Sequence, residues 1–317
     1  MIPVRISPIA PCSKPKSNLL LFKAYPLLEA NRAAIESIVR KTFDYGPMET
    51  HKVRCNALTE TLHLNTKQLD VYYPPDRTDS TTQAAPILVF FYGGGLVTGS
   101  RSSPPSNLVY NNLGAYFASR GILTVIPDYR LVPGITYPQG SEDVRDALDW
   151  VVQHLASLGD DNSTHVFVLA HSAGGMHVSG YLLTDLFASS PAAYIRGVAF
   201  MGVPFEIYPS RVKFYAVAET YYGDRKKIAQ NQPLRILRRM EHSRVASLPP
   251  LRNYIAGNEP RAISSSMRNF AKEWKKKGGI VEVLVMDAHD HLSPVLALSS
   301  GSGEEWGEDL VAWIGSF

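Results

Sequence analysis

The sequence predicts an α/β fold with a mostly parallel central sheet flanked by helices. Three observations predict it. Apolar runs of strand length recur along the chain, helical patterns separate most of them, and a lone serine sits where one run turns into a helix. The predicted strands are 69–73, 87–92, 122–129, 165–170, 197–202, 252–257 and 281–287, rich in Val, Ile, Phe and Tyr as buried strands are. In 141–159, Val144, Ala147, Leu148, Val151 and Leu155 fall on one helical stripe. Glu142 and Asp143 stand in its first turn and Gly159 closes it. Residues 264–279 read the same way, and 299–309 is a polar loop entering a final helix.

Two segments break the alternation. Residues 18–50 contain a helical stretch, 27–43, ahead of the first strand. Residues 203–248 hold aromatic and basic side chains without a strand pattern. Insertions of this kind cover the strand ends where α/β folds bind ligands, so the expected layout is a segment 1–60 contributing to a cap and a core 61–317 with a cap insertion at about 203–248. The aromatics Phe214, Tyr215, Tyr221 and Tyr222 suggest an apolar pocket there.

Composition narrows the function classes. The chain has 317 residues, 45% hydrophobic and 19% charged, with a net charge of +3, too mild for a nucleic-acid face. Lys272, Lys275, Lys276 and Lys277 read as the solvated last turns of a helix, where cations complement the dipole. Cys12 and Cys55 make no disulfide framework and no cysteine–histidine spacing suggests zinc. No run approaches the roughly 18 apolar residues of a membrane span. The N-terminal prolines interrupt any signal-peptide core, and the C-terminus is no peroxisomal address. The expectation is a cytoplasmic enzyme without metal or organic cofactor.

The chemistry concentrates around Ser172, within Ala170-His171-Ser172-Ala173-Gly174. A serine on a sharp strand-to-helix turn needs small neighbours, and the helix N-terminus offers free N–H groups to a developing oxyanion. The usual pattern is G-x-S-x-G, and Ala170 replaces its first glycine. Upstream, Tyr92-Gly93-Gly94-Gly95 follows a strand. No Lys-Ser/Thr follows the glycines, which rejects a Walker loop. Between the two motifs lie Asp128-Tyr129-Arg130-Leu131-Val132-Pro133 and then Pro138, Glu142 and Asp143.

In this order the motifs resemble the α/β-hydrolases of the hormone-sensitive-lipase-like esterase group, over roughly residues 65 to 315. Details look most like fungal members, several of which serve secondary-metabolite pathways. The resemblance implies an oxyanion hole from the N–H groups of Gly94, Gly95 and Ala173. Tyr92 stands where most relatives have histidine; it and His171 are candidates for contact with substrate. The family places an acid and then a histidine after the serine. Its G-x-x-H pattern maps onto 288–291, which implies His291 as base with His289 as the alternative; His242 reads as a surface histidine. Its D-P after the preceding strand maps onto Glu259-Pro260, with Asp287 and Asp290 as competing orienters.

The expected activity is hydrolysis of an apolar small-molecule ester or thioester by Ser172, His291 and Glu259. One rival is acyl transfer, condensation or cyclisation of a polyketide-type intermediate on the same site. Another is a ligand-binding protein on a hydrolase scaffold. The resemblance also allows a homodimer through edge strands or the last helices.

Overall fold

The computed structural model describes residues 17–47, 66–75, 85–103, 106–158, 165–189 and 195–317. Cys12, Cys55 and Gly159 lie outside the described residues. In chain order the strands are β1 (Arg40–Pro47), β2 (Thr66–Tyr72), β3 (Ile87–Phe91), β4 (Leu123–Pro127), β5 (Val166–His171), β6 (Ile195–Met201), β7 (Leu251–Ala256) and β8 (Val281–Met286). The helices are α1 (Ser17–Ala30), α2 (Arg32–Glu36), α3 (Asn111–Ala118), α4 (Gln139–Gln153), α5 (Ala173–Leu182), α6 (Asp185–Ala188) and α7 (Val212–Tyr222). They continue as α8 (Arg225–Asn231), α9 (Pro233–Arg239), α10 (His242–Ala246), α11 (Arg261–Lys276), α12 (Ser293–Ala297) and α13 (Glu305–Ile314).

The strands form an eight-stranded sheet in the order β1-β2-β4-β3-β5-β6-β7-β8. β2 runs antiparallel to both β1 and β4, and the remaining pairs are parallel. Every residue of β3, β4, β5 and β7 is buried, so these strands are covered on both faces, as the continuous apolar runs anticipated. Burying each of their large apolar side chains contributes about 1.5–3 kcal/mol. Two groups of helices supply the cover. α1, α2, α3 and α12 contact one another, while α4, α5, α9 and α11 form the other group. α13 joins the first through Trp306, which meets Phe117 edge-on.

One element departs from expectation. The stretch 27–43 is not one helix: helix ends at Glu36 and strand β1 begins at Arg40. Ser37, Ile38 and Val39 separate them, and the β-branched pair is a poor helix former. β1 pairs Phe43 opposite Leu69, so the sheet extends one strand further than the apolar runs suggested. Residues 203–248 carry no strand and fold as α7 to α10. Lys277 is also not solvated. It is 7% exposed, and its Nζ donates to the Met240 carbonyl at 2.5 Å. No helix of the described residues is long and apolar enough to cross a membrane.

A buried charge cluster explains one motif. Lys67 on β2 and Asp143 on α4 are 2% and 0% exposed in their side chains, with Nζ to Oδ1 at 2.9 Å. Lys67 also meets Asp146 at 2.7 Å, and Arg130 meets Asp143 through its guanidinium at 2.9 Å and its backbone N–H at 3.0 Å. The paired Arg130 and Asp143 therefore lock the turn after β4 onto α4. Charges this deep persist only when paired and hydrogen-bonded.

Candidate active site

Ser172 stands between β5 and α5 with φ 51° and ψ −118°. A positive φ at a non-glycine residue stores strain, and this one turns the side chain out of the strand's path. Its N–H donates to the Met201 carbonyl at 2.9 Å, which ties the turn to the end of β6. The small residues beside it are required by space. A Cβ at Gly174 would lie 2.4 Å from the carbonyl oxygens of Phe91 and Tyr92.

Glu259, His291 and Ser172 form one connected series. Ser172 Oγ lies 2.9 Å from His291 Nε2, and His291 Nδ1 lies 2.6 Å from Glu259 Oε1. With the carboxylate accepting from Nδ1–H, Nε2 carries the lone pair that faces the hydroxyl. The Glu259 side chain is 2% exposed. Two loops bring Glu259 and His291 together: the Asn258 N–H donates to the His289 carbonyl at 2.9 Å, linking the turn after β7 to the turn after β8.

The alternatives are occupied elsewhere. His289 has Nδ1 against Ser293 Oγ at 3.1 Å and Nε2 against the Gly303 carbonyl at 3.0 Å. Asp290 Oδ1 accepts from the N–H groups of Leu292 and Ser293 at 3.0 and 2.9 Å, capping the start of α12. Asp287 is exposed, and His242 is exposed at the start of α10.

The glycine loop lies over the serine. Gly94 has φ 140°, and a Cβ there would fall 1.8 Å from the Thr98 carbonyl oxygen, so only glycine fits. The amides of Gly94 and Gly95 donate to no described residue, and Ala173 opens α5, where helix geometry leaves its N–H free. Tyr110 stands beside Gly93 and lines the cavity. Burial pushes its phenol up to about 12, with the Gly93 backbone opposing the shift and Tyr25 nearby adding to it.

Tyr92 corrects the expectation of a substrate contact. Its ring stacks on Tyr129 at 4.6 Å and on Tyr110 at 5.5 Å, it is 1% exposed, and its hydroxyl donates to Asp128 Oδ1 at 2.9 Å. It does not line the cavity. Asp128 also accepts from the Arg101 N–H at 2.8 Å and pairs with the Arg101 guanidinium. One carboxylate thus pins both ends of the loop 92–101. Burial holds the Asp128 carboxyl above its usual range, with Arg101 opposing the shift.

His171 does line the cavity. Its Nε2–H donates to the His291 carbonyl at 2.8 Å, so it holds the backbone that carries the His291 ring. Burial, reinforced by the nearby His291, lowers its pKa to about 3 and keeps it neutral.

The open space above Ser172 is a cavity of about 700 Å³, of the size that holds small-molecule ligands. Ile207, Phe214, Ile263 and Leu292 give it an apolar wall, and Glu206 and Arg211 bring charge. Of the aromatics singled out in 203–248, only Phe214 lines it. Tyr221 and Tyr222 are buried against Tyr137 instead, and Tyr215 packs on the core.

Sequence reasoning missed Gly202, Glu206 and Arg211. Gly202 has φ 58°, and a Cβ there would come within 2.9 Å of His291 Nδ1 and 3.1 Å of Glu259 Oε2. A glycine closing a buried strand run was its available signal.

Comparisons with known proteins bear on the fold and on part of the sequence. The BD-FAE family model matches residues 69–184, a stretch that includes the glycine loop, Asp128 to Pro133 and Ser172. Solved structures superpose along nearly the whole chain. An esterase of the archaeon Pyrobaculum calidifontis has a TM-score of 0.66 at 17% identity, covering 94% of this chain and 93% of its own. Carboxyl esterase 2 of the fungus Tuber melanosporum gives 0.63 at 16%, covering 87% and 84%. The chain has the α/β-hydrolase fold. On that fold, its motif order is the one that resembles the hormone-sensitive-lipase-like group. Among curated proteins, a probable carboxylesterase M8 of Phoma sp. is 29% identical over 176 residues, 53% of this chain and 50% of its own length. Tuliposide B-converting enzyme 1 of Tulipa gesneriana is 33% identical over 110 residues, 32% and 24%. The chain thus spans half or less of these relatives. Glu259 and His291 lie beyond the family match, where the geometry above stands by itself.

Proposed function

We propose that the chain is a serine hydrolase that cleaves carboxylic esters or thioesters of small apolar acyl substrates. The observation that carries the reading is the series Glu259–His291–Ser172 at the floor of the cavity, with contacts of 2.6 and 2.9 Å. Esterases among its structural neighbours and a probable carboxylesterase among its partial relatives support the same class.

Ser172 Oγ attacks the ester carbonyl while His291 Nε2 takes its proton. The carbonyl oxygen becomes an oxyanion, and the N–H groups of Gly94, Gly95 and Ala173 stabilise it. His291 then returns the proton to the leaving alcohol or thiol, which departs and leaves an acyl-serine. Water, deprotonated by the same nitrogen, releases the acid. Glu259 keeps the proton on Nδ1 and stabilises the imidazolium that forms in each half of the cycle. Each oxyanion donor is worth about 2.7–4 kcal/mol of barrier. We assign to residues 203–248 the part of a cap over the strand ends, because Ile207 and Phe214 line the cavity beside Ser172. Among the described residues of the segment 1–60, we assign Tyr25 to the rim of the cavity, because it lies near Tyr110, which lines it.

The test is release of 4-nitrophenol from short 4-nitrophenyl esters by the wild type and by Ser172→Ala. The reading expects turnover that vanishes in a folded Ser172→Ala. Equal turnover by both proteins would refute it.

A further inference from the structure

We propose, on the basis of the esterase reading, that Arg211 adapts this site to esters carrying a carboxylate, which its guanidinium binds while Ser172 attacks the ester bond. Apart from histidines, the described lining of the cavity has two charged side chains, Glu206 and Arg211, and they are not in equivalent states.

Glu206 is compensated. Its side chain is 13% exposed, and the Tyr208 hydroxyl donates to Oε2 at 2.8 Å. Arg235 and Arg238 approach Oε1 from α9 at 3.6 and 3.8 Å. Its backbone is also held, with the N–H donating to Ser266 Oγ at 2.8 Å and the next N–H, of Ile207, to Gln232 Oε1 at 2.6 Å. The Arg211 side chain makes no ion pair or hydrogen bond with any described residue; only its backbone is engaged, the N–H donating to the Tyr208 carbonyl at 3.0 Å and the carbonyl accepting from the Tyr215 N–H at 2.9 Å. One carboxylate is therefore matched by two guanidiniums outside the cavity, and the guanidinium on the cavity wall remains open. The field on this wall favours an anion.

The chemistry of the two groups points the same way. A guanidinium presents a planar fork that takes a carboxylate through two parallel hydrogen bonds. Ile207, Phe214, Ile263 and Leu292 supply an apolar path for the hydrocarbon between that carboxylate and the ester. A cationic substrate would have to take Glu206 from Tyr208 and its two arginines.

The experiment compares matched esters ending in a methyl, a carboxylate or a trimethylammonium group. One series is the 4-nitrophenyl esters of hexanoate, hydrogen adipate and 5-(trimethylammonio)pentanoate. The other is butyrate esters of phenols bearing the same three end groups. The proposal expects the wild type to favour the carboxylate ester over the methyl ester about tenfold in kcat/KM in at least one series. Arg211→Gln should bring that ratio close to one, mostly through KM, and Arg211→Lys should keep part of it. Raising the salt should shrink the preference, because an exposed pair is screened. A ratio unmoved by Arg211→Gln, or a wild-type preference for the neutral or cationic ester, overturns the proposal; the cationic result would assign the recognition to Glu206.

Calorimetric binding of adipate to Ser172→Ala and to Ser172→Ala/Arg211→Gln needs no turnover and separates the two readings. Binding at least fivefold weaker in the double variant supports the role of Arg211 even if no ester is hydrolysed, in which case only the esterase reading falls. Adipate affinity that is absent or independent of Arg211, together with no ester discrimination, overturns it.

Discussion

Ser172, His291 and Glu259 act as a unit only if each side chain is where the others need it. His291→Ala is therefore expected to lower kcat as far as Ser172→Ala does, by roughly four to six orders of magnitude. His289→Ala should cost far less, because both of its ring nitrogens serve the loop, against Ser293 and Gly303. By the same logic Glu259→Gln should hurt more than Asp290→Asn in steady-state assays, since Asp290 caps α12. Gly202→Ala is a sharper probe. The added methyl must press on His291 Nδ1 and Glu259 Oε2, at a backbone φ of 58° that alanine resists. We expect kcat to fall about a hundredfold, as a misplacement near 1 Å does, with KM changed much less. Most of this residue-level picture was legible in the sequence. Ser172 sat in a recognisable turn, and motif order pointed to Glu259 and His291. The choice between His289 and His291 was open because two histidines two residues apart differ only in where their rings point. Gly202 showed in the sequence only as a glycine closing a strand run, because its importance lies in a contact between three loops.

At the level of elements, the loop 92–101 is positioned by a residue outside it. Asp128, just past β4, holds the Tyr92 hydroxyl at one end and the Arg101 N–H at the other. Asp128→Asn keeps the shape and removes the charge. It is expected to destabilise the protein by about 1–3 kcal/mol in urea unfolding, the range for hydrogen bonds to a charged group. It should also lower kcat more than KM, because the amides of Gly94 and Gly95 lose their fixed aim. The D-Y-R-L-x-P stretch was visible as a motif in the sequence, and its physical work appears in the structure: Asp128 for the glycine loop, Arg130 for Asp143. β1 was not legible, since Arg40 to Pro47 lacks a clean period of two and owes its strand state to pairing with β2. Lys277 was misread for a related reason. A helical wheel places it with its solvated neighbours, and only the approach of Met240 reveals a buried acceptor.

Across the whole molecule, buried histidines set a dependence of stability on pH. Burial lowers His171 to about 3, with the nearby His291 contributing, and His177 to about 4 against a small opposing effect of Asp143. In the unfolded chain both titrate near 6.5. Above that pH both states are neutral and stability is fully present. As pH falls below 6.5 the unfolded chain takes up protons that the folded protein refuses, and stability is lost until the folded pKa is reached. Each histidine should remove about 2 kcal/mol by pH 5. Urea midpoints measured between pH 8 and 5 should therefore fall, and His177→Gln should flatten the slope by up to one proton. An unchanged slope would mean that His177 is protonated in the folded state. The global fold itself was legible, because buried parallel strands announce themselves as unbroken apolar runs. The lining of the cavity was not, since Glu206 and Arg211 come from a segment without periodicity and are brought to Ser172 only by tertiary packing.

The central claim is that Ser172 is a nucleophile activated in place. Its most direct test is the intact mass of the folded wild type and of Ser172→Ala after exposure to a small fluorophosphonate. The account predicts one adduct on the wild type and none on Ser172→Ala. An adduct that persists in the variant, or folded wild type that takes up none, would contradict it.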